Sequence, residues 1–410
     1  MSVMVDEKLT VCSPKGFKAA NTAAGIKYEG RDDMAMIYSK APCVSAGTYT
    51  KNMVKAAPVL FDKERTKSDT PINAIVINAG IANACTGDEG FEICNKTTEA
   101  AAKALKIESE SVLVASTGVI GKQIPVDKIT AGCKALSKKL SDTNEAGIAA
   151  AKAIMTTDTI PKYCGVEIEV GGKKVTIGGM TKGSGMIHPD MCTMLCFITT
   201  DCNIEKALLQ KALLSSVNNS FNMISVDGDT STNDTCVVIA NGLAENEKIT
   251  EEKDDYNLFK EALQSVCFNL ARKMAGDGEG ATALFEVEVN GAPDESSAKI
   301  LAKSVIGSSL TKAAIFGHDA NWGRILCALG YSGVAFDPYK VDVTVTGNGK
   351  TLMLCKGGME TDYSEDEATE ILSAKEVRCI CEMNSGNSSA VAMGCDLSYD
   401  YVKINADYRS

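Results

Sequence analysis

The sequence predicts an α/β fold in which layered sheets lie between helices. Apolar segments with the period of a strand alternate with amphipathic segments of helical period along the whole chain. No Pro- or Ser-rich linker divides the chain. Its 410 residues, 45% of them hydrophobic, are enough for two or three domain-sized units or for one large α/β body.

Seven short apolar segments have the pattern of β-strands. Two of them flank Gly171-Gly172, which predicts a hairpin. The last two alternate in polarity, so we expect each to have one half-polar face. The predicted strands cover residues 72–77, 112–115, 166–170, 174–177, 194–198, 284–289 and 341–345.

Five segments have helical periodicity and suitable length. In the last of them, Ser364 and Glu367 form a capping-box pattern. The predicted helices cover residues 91–105, 144–155, 205–217, 252–274 and 364–373.

The composition argues against nucleic acid and membrane partners. The formal net charge is −11, and no cluster of Lys or Arg offsets it. No apolar run is long enough to span a bilayer, and Met1 to Lys15 lacks the apolar core of a secretion signal. We therefore expect a cytoplasmic protein whose 16 cysteines are reduced and mostly buried.

Histidine is scarce, since the chain contains only His188 and His318. A Ser-His-Asp triad or a His-rich metal site would need one of them, and neither has the surrounding signature. A Gly-x-Ser-x-Gly nucleophile elbow is absent. We therefore expect no metal, and a nucleophile that works without histidine.

Thr193 stands at the entrance of a predicted strand, in the most unusual stretch of the sequence. Polar and Gly-rich residues from Thr181 lead to Cys192-Thr193, where the apolar strand begins. A hydroxyl there can attack the preceding carbonyl, and hydrolysis of the resulting ester frees Thr193 as a new N-terminus. The freed α-amine, with a pKa of about 8, can then act as base for its own hydroxyl. The alternative is a threonine that only packs at the strand entrance, and the residues alone favour it.

Three further polar clusters have a functional and an ordinary interpretation. Ser116-Thr117-Gly118 can hold an oxyanion or simply turn the chain after a strand. Glu279, within a Gly-rich segment, can hold an amine or lie in a solvated turn. The segment from Gly317 to Arg324, which contains the only Trp, can line a pocket or cap the helix that follows.

Taken together, these clusters resemble those of the ornithine acetyltransferases, or glutamate N-acetyltransferases, the self-cleaving enzymes of the cyclic arginine pathway. The resemblance begins at Pro14 and extends over nearly all 410 residues. Its motifs are long and occur in order: PKGFKAA, TKN with AAPV, NAGIANACTG, STGVIG, MTTDT, TKGSGMI, MCTMLCFITTD, GEGAT, NWGRI and DYVKINADYRS.

The resemblance implies a role for each matching residue. Thr193 would be the nucleophile, and the chain would cut itself between Cys192 and Thr193. Thr117 and Gly118 would form the oxyanion hole. Whether Thr156 or Thr157 contacts the substrate is left open. The substrate-binding residues would be Thr157, Lys182, Thr193, Glu279, Asn405 and Ser410.

The implied reaction moves the acetyl group of N2-acetylornithine to glutamate by a ping-pong route through an acetyl-threonine ester. The implied fold is the α/β sandwich of self-processing aminopeptidases. An α chain, residues 1–192, would remain bound to a β chain, residues 193–410, and two of each would form a heterotetramer. No cofactor is implied, and whether acetyl-CoA also serves as acetyl donor is left open.

Some positions depart from the family pattern. Cys192 replaces the usual Ala, and His318 and Ala320 stand where Arg and Pro are usual. We expect both histidines to be neighbours of the site and not catalysts. Two rival functions remain: a self-processed aminopeptidase or amidase, which transfers acyl groups to water, and an uncleaved amino-acid-binding protein.

Overall fold

The computed structural model describes residues 3–188 and 194–407. These residues form two compact units. The first unit contains residues 3–183, 194–222 and 230–270, and the second contains residues 184–188, 223–229 and 271–407. The fragments 1–192 and 193–410 are a different division of the chain, based on cleavage, and they stay a prediction.

Strands and helices interleave through the described residues, as the sequence predicts. The strands are β1 (Phe17–Thr22), β2 (Met34–Tyr49), β3 (Ile72–Ile81), β4 (Val112–Val119), β5 (Lys162–Val170), β6 (Lys173–Lys182), β7 (Leu195–Thr200), β8 (Ile224–Ser225), β9 (Thr235–Ala240), β10 (Leu284–Ala292), β11 (Asp342–Gly347), β12 (Lys350–Lys356), β13 (Met359–Glu360), β14 (Glu376–Glu382) and β15 (Ser388–Cys395). The α-helices are α1 (Ala57–Lys67), α2 (Gly87–Leu105), α3 (Val126–Lys139), α4 (Asn144–Ala153), α5 (Lys206–Asn218), α6 (Asp254–Gly276), α7 (Glu295–Ile306), α8 (Ser309–Phe316), α9 (Trp322–Gly330), α10 (Glu365–Leu372) and α11 (Tyr399–Ala406).

The first unit is built on an eight-stranded sheet with the order β4-β3-β2-β9-β7-β6-β5, and β1 pairs with β2 beside this path. Strand β2 is long and changes partner: it pairs with β3 as far as Cys43 and with β9 from Val44 onward. Strands β7 and β9 are parallel to each other, and β6 is antiparallel to β7. Strands β7 and β9 follow residue 193 in sequence, yet they lie between β6 and β2, which precede it.

Both faces of this sheet are buried. In β3, Ile75 and Ile77 belong to one hydrophobic cluster, while Ala74 and Val76 belong to another. Helix α4 contributes to the first cluster, and α2 and α3 contribute to the second. Helices on both faces explain why the sequence of β3 reads as a continuous apolar run, and they confirm the layered α/β fold.

The second unit contains a seven-stranded sheet with the order β13-β12-β11-β14-β10-β15-β8. One hydrophobic cluster joins its strands to α7, α9 and α10. Strand β11 alternates as predicted, with Val343 and Val345 buried. The half-polar face predicted for β10 is wrong at Glu286, which is 5% exposed. Arg272 and Arg378 cover its carboxylate at 2.8 and 3.0 Å, and this pairing allows the charge to be buried.

All seven predicted strands and five predicted helices are present, with ends shifted by a few residues. Ser364 caps α10 as predicted, since its Oγ accepts from the Glu367 N–H at 3.3 Å. None of the described helices is long and apolar enough to cross a membrane. The described cysteines are all free, and only Cys85 and Cys327 are exposed, which confirms the prediction for these residues.

Candidate functional site

Four neighbouring strands of the first sheet end or begin at the same level. Lys182, the last residue of β6, pairs with Leu195, the first of β7. Leu195 pairs with Thr235, the first residue of β9, which in turn pairs with Tyr49, the last of β2. Residues that flank these four positions therefore meet at one edge of the sheet. Met194 lies at this edge, whereas Cys192 and Thr193 lie outside the described residues.

The Lys182 ammonium group is held at this edge by two threonine hydroxyls. It donates to Thr156 Oγ1 at 2.8 Å and to Thr117 Oγ1 at 3.4 Å. The structure thus brings together Lys182 and Thr117, two residues that the sequence analysis selected from segments 65 residues apart. The Lys182 contact involves Thr156, and the substrate contact assigned to Thr157 stays a prediction.

A fully buried ion pair lies next to the Lys182 ammonium group. Asp158 Oδ1 lies 2.7 Å from Lys162 Nζ, and both side chains are completely inaccessible. Asp158 also accepts from the backbone N–H groups of Thr156 and Gly183, and its Oδ2 lies 3.9 Å from Lys182 Nζ. Burial alone would raise the pKa of Asp158, but the two ammonium groups and these hydrogen bonds hold it below its usual range.

Gly118 lies near the end of β4, where the strand pairs with Gly80 of β3. Gly118 has φ +128°, and a Cβ there would lie 2.7 Å from Gly80 Cα and still closer to the Gly80 carbonyl. Only glycine fits this backbone and this contact. The close approach fixes the position of the Thr117 and Gly118 backbone relative to β3.

A buried side-chain amide also holds this end of β4 in place. Asn233 donates to the carbonyl oxygens of Ala82 at 2.6 Å and of Ser116 at 2.8 Å. The Ser116 hydroxyl in turn donates to Asn78 Oδ1 at 2.7 Å. These bonds pair buried polar groups, and they hold the end of β4 rigidly as a platform for a hydroxyl and a backbone N–H.

The second unit brings together two other predicted residues. Asn405, on α11, donates from its amide to Glu279 Oε2 at 2.7 Å. The Glu279 N–H donates to the Ser184 carbonyl at 2.8 Å. Gly185 lies directly against the Glu279 carboxylate, because a Cβ at Gly185 would overlap it. Ser410 lies outside the described residues.

The segment around Trp322 caps the helix that follows it, as the ordinary interpretation expects. Asn321 caps α9, with its side chain accepting from the Arg324 N–H at 3.3 Å. His318 follows α8 in a left-handed conformation. His188 contacts Ser225 Oγ through Nδ1 at 3.0 Å. Among the described residues, no group of three or more His, Cys, Asp or Glu side chains is arranged to hold a metal ion.

Four residues at the sheet edge were missed by the sequence analysis: Asp158, Lys162, Asn233 and Asp234. A weak signal existed for the last two, because the polar residues 227–235 directly precede the apolar part of β9. Asp158 stands within the MTTDT motif, but its partner Lys162 carries no signal of burial. Asp158 and Asn233 contact segments that are distant in sequence, whereas Lys162 pairs with Asp158 only four residues away.

Comparison with known proteins gives a consistent result over the whole chain. The ArgJ family matches residues 18–410. The arginine biosynthesis bifunctional protein ArgJ 1 of Clostridium acetobutylicum is 52% identical over 396 residues, which cover 96% of each chain. The ArgJ protein of Bacillus subtilis is 44% identical over 400 residues, covering 98% of this chain and 96% of its own. The crystal structure of ArgJ from Bacillus halodurans is 50% identical, with a TM-score of 0.49, and covers 51% of this chain and 97% of its own.

Proposed function

The chain belongs to the ArgJ family, and from this premise we propose that it transfers the acetyl group of N2-acetylornithine to glutamate. Its relatives carry the name of arginine biosynthesis enzymes. The proposed nucleophile is Thr193, freed by self-cleavage after Cys192. The acetyl group would rest on its hydroxyl as an ester between two half-reactions, which is ping-pong chemistry.

The observation that carries the proposal is the group at the sheet edge. The Lys182 ammonium donates there to both the Thr117 and the Thr156 hydroxyls, and β7 begins two residues after Thr193 in sequence. A cation and the rigidly held end of β4, both beside the start of a strand, suit a reaction that develops negative charge on oxygen.

In the first half-reaction, the Thr193 hydroxyl attacks the acetyl carbonyl of N2-acetylornithine, and the α-amine takes the hydroxyl proton. The tetrahedral oxyanion is stabilised by the Thr117 hydroxyl and the Gly118 N–H. The C–N bond breaks, the proton passes to the leaving nitrogen, and ornithine departs. In the second half-reaction, the amine of glutamate attacks the ester, Thr193 recovers its proton, and N-acetylglutamate leaves.

Other residues would position the two amino acids. Lys182 suits the α-carboxylate that both substrates share, because its ammonium is a compact positive charge. The carboxylate of Glu279, oriented by Asn405, suits an amine of the substrate. Thr157 and Ser410 complete the predicted binding set. No cofactor is needed for these steps, and acetyl-CoA is an alternative acetyl donor for the same ester.

We also propose that the α and β chains remain associated after cleavage, as a heterotetramer of two α and two β chains in the cytoplasm. The strand order supports association of the fragments. Strands β7 and β9 of the β chain pair with β6 and β2 of the α chain, so cleavage leaves these backbone hydrogen bonds in place.

Mass spectrometry of the purified protein tests the proposal. Incubation with N2-acetylornithine alone should add one acetyl group to the peptide that begins with Thr193, and addition of glutamate should remove it as N-acetylglutamate. On a denaturing gel, we expect two bands of roughly 20 and 23 kDa from the 43.2 kDa chain, in proportion to fragment length.

Substitutions at the nucleophile provide the controls. Thr193→Ala should give a single uncut chain without acetyl exchange, and Thr193→Ser should retain both reactions because it keeps the hydroxyl. Release of acetate with no N-acetylglutamate would instead identify a hydrolase. A wild-type chain that stays in one 43.2 kDa piece and binds amino acids would identify a binding protein.

A further inference from the structure

A groove in the first unit collects lysines on the surface of an acidic protein. It has a volume of about 860 Å³ and lies between α1, α5 and the end of β2. The lysines that line it are Lys51, Lys55, Lys63, Lys67 and Lys206. Only two acids line it with them, Asp69 and Glu205, whereas the whole chain has a net charge of −11. The sequence analysis missed this cluster, because four of the lysines are interspersed with acids along residues 51–67 and the fifth comes from α5.

The positive charge of these lysines is only weakly compensated within the fold. Lys206 Nζ lies 3.8 Å from a carboxylate oxygen of Asp69, whose side chain is fully exposed. Lys67 Nζ lies 3.1 Å from Glu64 Oε1, and both of these side chains are exposed. Exposed ion pairs of this kind contribute little free energy. Lys63 and Lys67 stand four residues apart on α1, so their like charges repel each other. An anionic ligand in the groove would relieve this repulsion.

The floor of the groove is held in place by its own hydrogen bonds. The hydroxyls of Tyr49 and Thr66 are bonded to each other at 2.9 Å. The Gln210 side chain accepts from the Gly47 N–H at 3.1 Å and donates to the Gly47 carbonyl at 3.2 Å. These polar groups are therefore satisfied without a ligand. Leu214, which is 41% exposed, adds apolar surface. The groove thus combines a charged rim with a preformed, weakly polar floor.

Size and charge together define the ligand. Pockets for small organic ligands measure about 300–1,000 Å³, so an inorganic anion would leave most of this groove empty. An extended nucleic acid would also meet the acidic remainder of the chain, which would repel it. A molecule that joins several phosphate groups to a planar, weakly polar ring matches both the lysines and the floor. We propose that the groove binds a nucleotide with two or more phosphate groups, its phosphates at the lysines and its base on the floor.

Two kinds of molecule share this chemistry: free nucleoside polyphosphates, and coenzyme A, whose nucleotide end carries a diphosphate and a further phosphate. The register of the sheet favours coenzyme A. Tyr49, at the floor of the groove, pairs with Thr235, which pairs with Leu195, so two strand spacings, or roughly 10 Å, separate Tyr49 from the start of β7. The arm between the diphosphate and the thioester of acetyl-CoA is longer than this distance. As the site of the alternative acetyl donor, the groove rests on the proposed acetyl transfer; as a nucleotide site, it does not.

Calorimetric titration of the full-length protein with coenzyme A, ATP and pyrophosphate tests the proposal. The groove variant is Lys63→Gln/Lys67→Gln. The control, Lys134→Gln/Lys138→Gln, removes the same charge at the same spacing from two exposed lysines of α3. Coenzyme A, ATP or both should bind wild type and control alike and the groove variant more weakly by about tenfold or more. Pyrophosphate should bind more weakly than a nucleotide. The melting temperature of the groove variant should not fall, because a repulsion between like charges is removed.

Affinity for ATP alone identifies a free nucleotide as the ligand, and affinity for coenzyme A identifies the acetyl donor. In the second case, the KM for acetyl-CoA should rise by about tenfold in the groove variant, with kcat/KM for N2-acetylornithine unchanged.

The outcomes separate this inference from the proposed function. If neither nucleotide binds at millimolar concentration, or if both bind wild type and the groove variant equally, the nucleotide site is overturned and acetyl transfer from N2-acetylornithine is untouched. Pyrophosphate that binds as tightly as a nucleotide would also overturn it. A protein that binds a nucleotide in the groove but transfers no acetyl group from N2-acetylornithine would overturn the proposed function alone.

Discussion

Gly118 and Gly80 pack backbone against backbone, with no room for a side chain between β4 and β3. The left-handed φ of +128° at Gly118 adds a second reason for glycine. Gly121, three residues later, also has a left-handed φ, of +79°, but it faces open space. The two glycines therefore separate the effect of backbone strain from the effect of steric contact.

We expect Gly118→Ala to move the end of β4 away from β3 and to misplace the oxyanion donors. Loss of one such donor lowers kcat by about 10²–10³-fold, so acetyl transfer should fall by that order. Gly121→Ala should cost about 1–2 kcal/mol of stability and leave kcat nearly unchanged. Steady-state kinetics and thermal melting of both variants measure this. Equal losses of kcat in the two variants would mean that general strain, and not the contact with Gly80, limits the reaction.

At the residue level, Thr193 before a predicted strand and Glu279 among glycines became candidates because one segment of sequence carries the signal for each. Their roles in the chemistry stay predictions. The contact of Lys182 with Thr156 was not predicted, because it joins segments 26 residues apart. The ion pair of Asp158 with Lys162 is local in sequence, but its complete burial was not predicted either. Nothing in the local sequence distinguishes a buried lysine from an exposed one.

Helix α11 carries a site residue on a lightly packed element. None of its residues is buried, and Tyr399 is 85% exposed. Its attachment to the Gly-rich segment before β10 is polar: Asn405 donates to Glu279, and Ser398, its N-cap residue, donates to the Gly280 carbonyl at 2.5 Å. Gly280 has no space for a side chain, since a Cβ there would lie 2.6 Å from the Tyr401 nitrogen.

We expect Asn405→Asp to impair the reaction more than the fold. It replaces an amide donor with a second carboxylate beside Glu279, and the repulsion should disturb the orientation of Glu279. We predict a loss of about tenfold or more in kcat/KM, corresponding to ~1.4 kcal/mol, with a melting temperature within a few degrees of wild type. Lys403→Ala, on the exposed face of the same helix, serves as the matched control. A large drop in melting temperature without a change in kcat/KM would assign Asn405 a purely structural role.

Strands and helices with a regular sequence pattern were predicted well. A strand that pairs with different neighbouring strands along its length was not. The buried strand β3 and the hairpin of β5 and β6 were both predicted. Strand β2 was missed, because its middle, Ser39 to Pro42, is polar and proline-bearing where the strand leaves β3. Its two halves belong to two different pairings, a feature of tertiary structure that no single sequence window contains.

The stability of the whole molecule should depend on pH through acids buried in its first unit. Asp62 is 1% exposed; its Oδ1 accepts from the Val114 N–H at 3.0 Å, while its Oδ2 has no partner among the described residues. Burial raises its pKa well above the usual range, against the opposing effects of that N–H and of Arg65. The raised pKa means that its contribution is complete at low pH and is lost as pH rises through the folded-state value.

We therefore predict that stability falls as pH rises above the unfolded pKa of Asp62, by up to about 1.4 kcal/mol per pH unit for this group. Asp62→Asn, which keeps an acceptor for the Val114 N–H, should make the free energy of unfolding less dependent on pH. Its stability should exceed that of the unsubstituted chain most at alkaline pH. Urea unfolding at about pH 5.5, 7 and 8.5 in a Thr193→Ala background, where we expect the chain to stay intact, measures it. Asp69→Asn, at a fully exposed side chain, should leave the slope unchanged. The same slope in Asp62→Asn and wild type would exclude Asp62 as its source.

The strand order of the first sheet also sets a sequence of events during synthesis. Strands β6 and β2 emerge from the ribosome early, but the place between them is filled by β7 and β9, and β9 ends only at Ala240. The edge that holds Lys182 and Asp234 does not exist until that later stretch has been inserted. Under the proposed self-cleavage, scission of the chain would therefore report that this insertion is complete, and each cut molecule would be one whose sheet was assembled first.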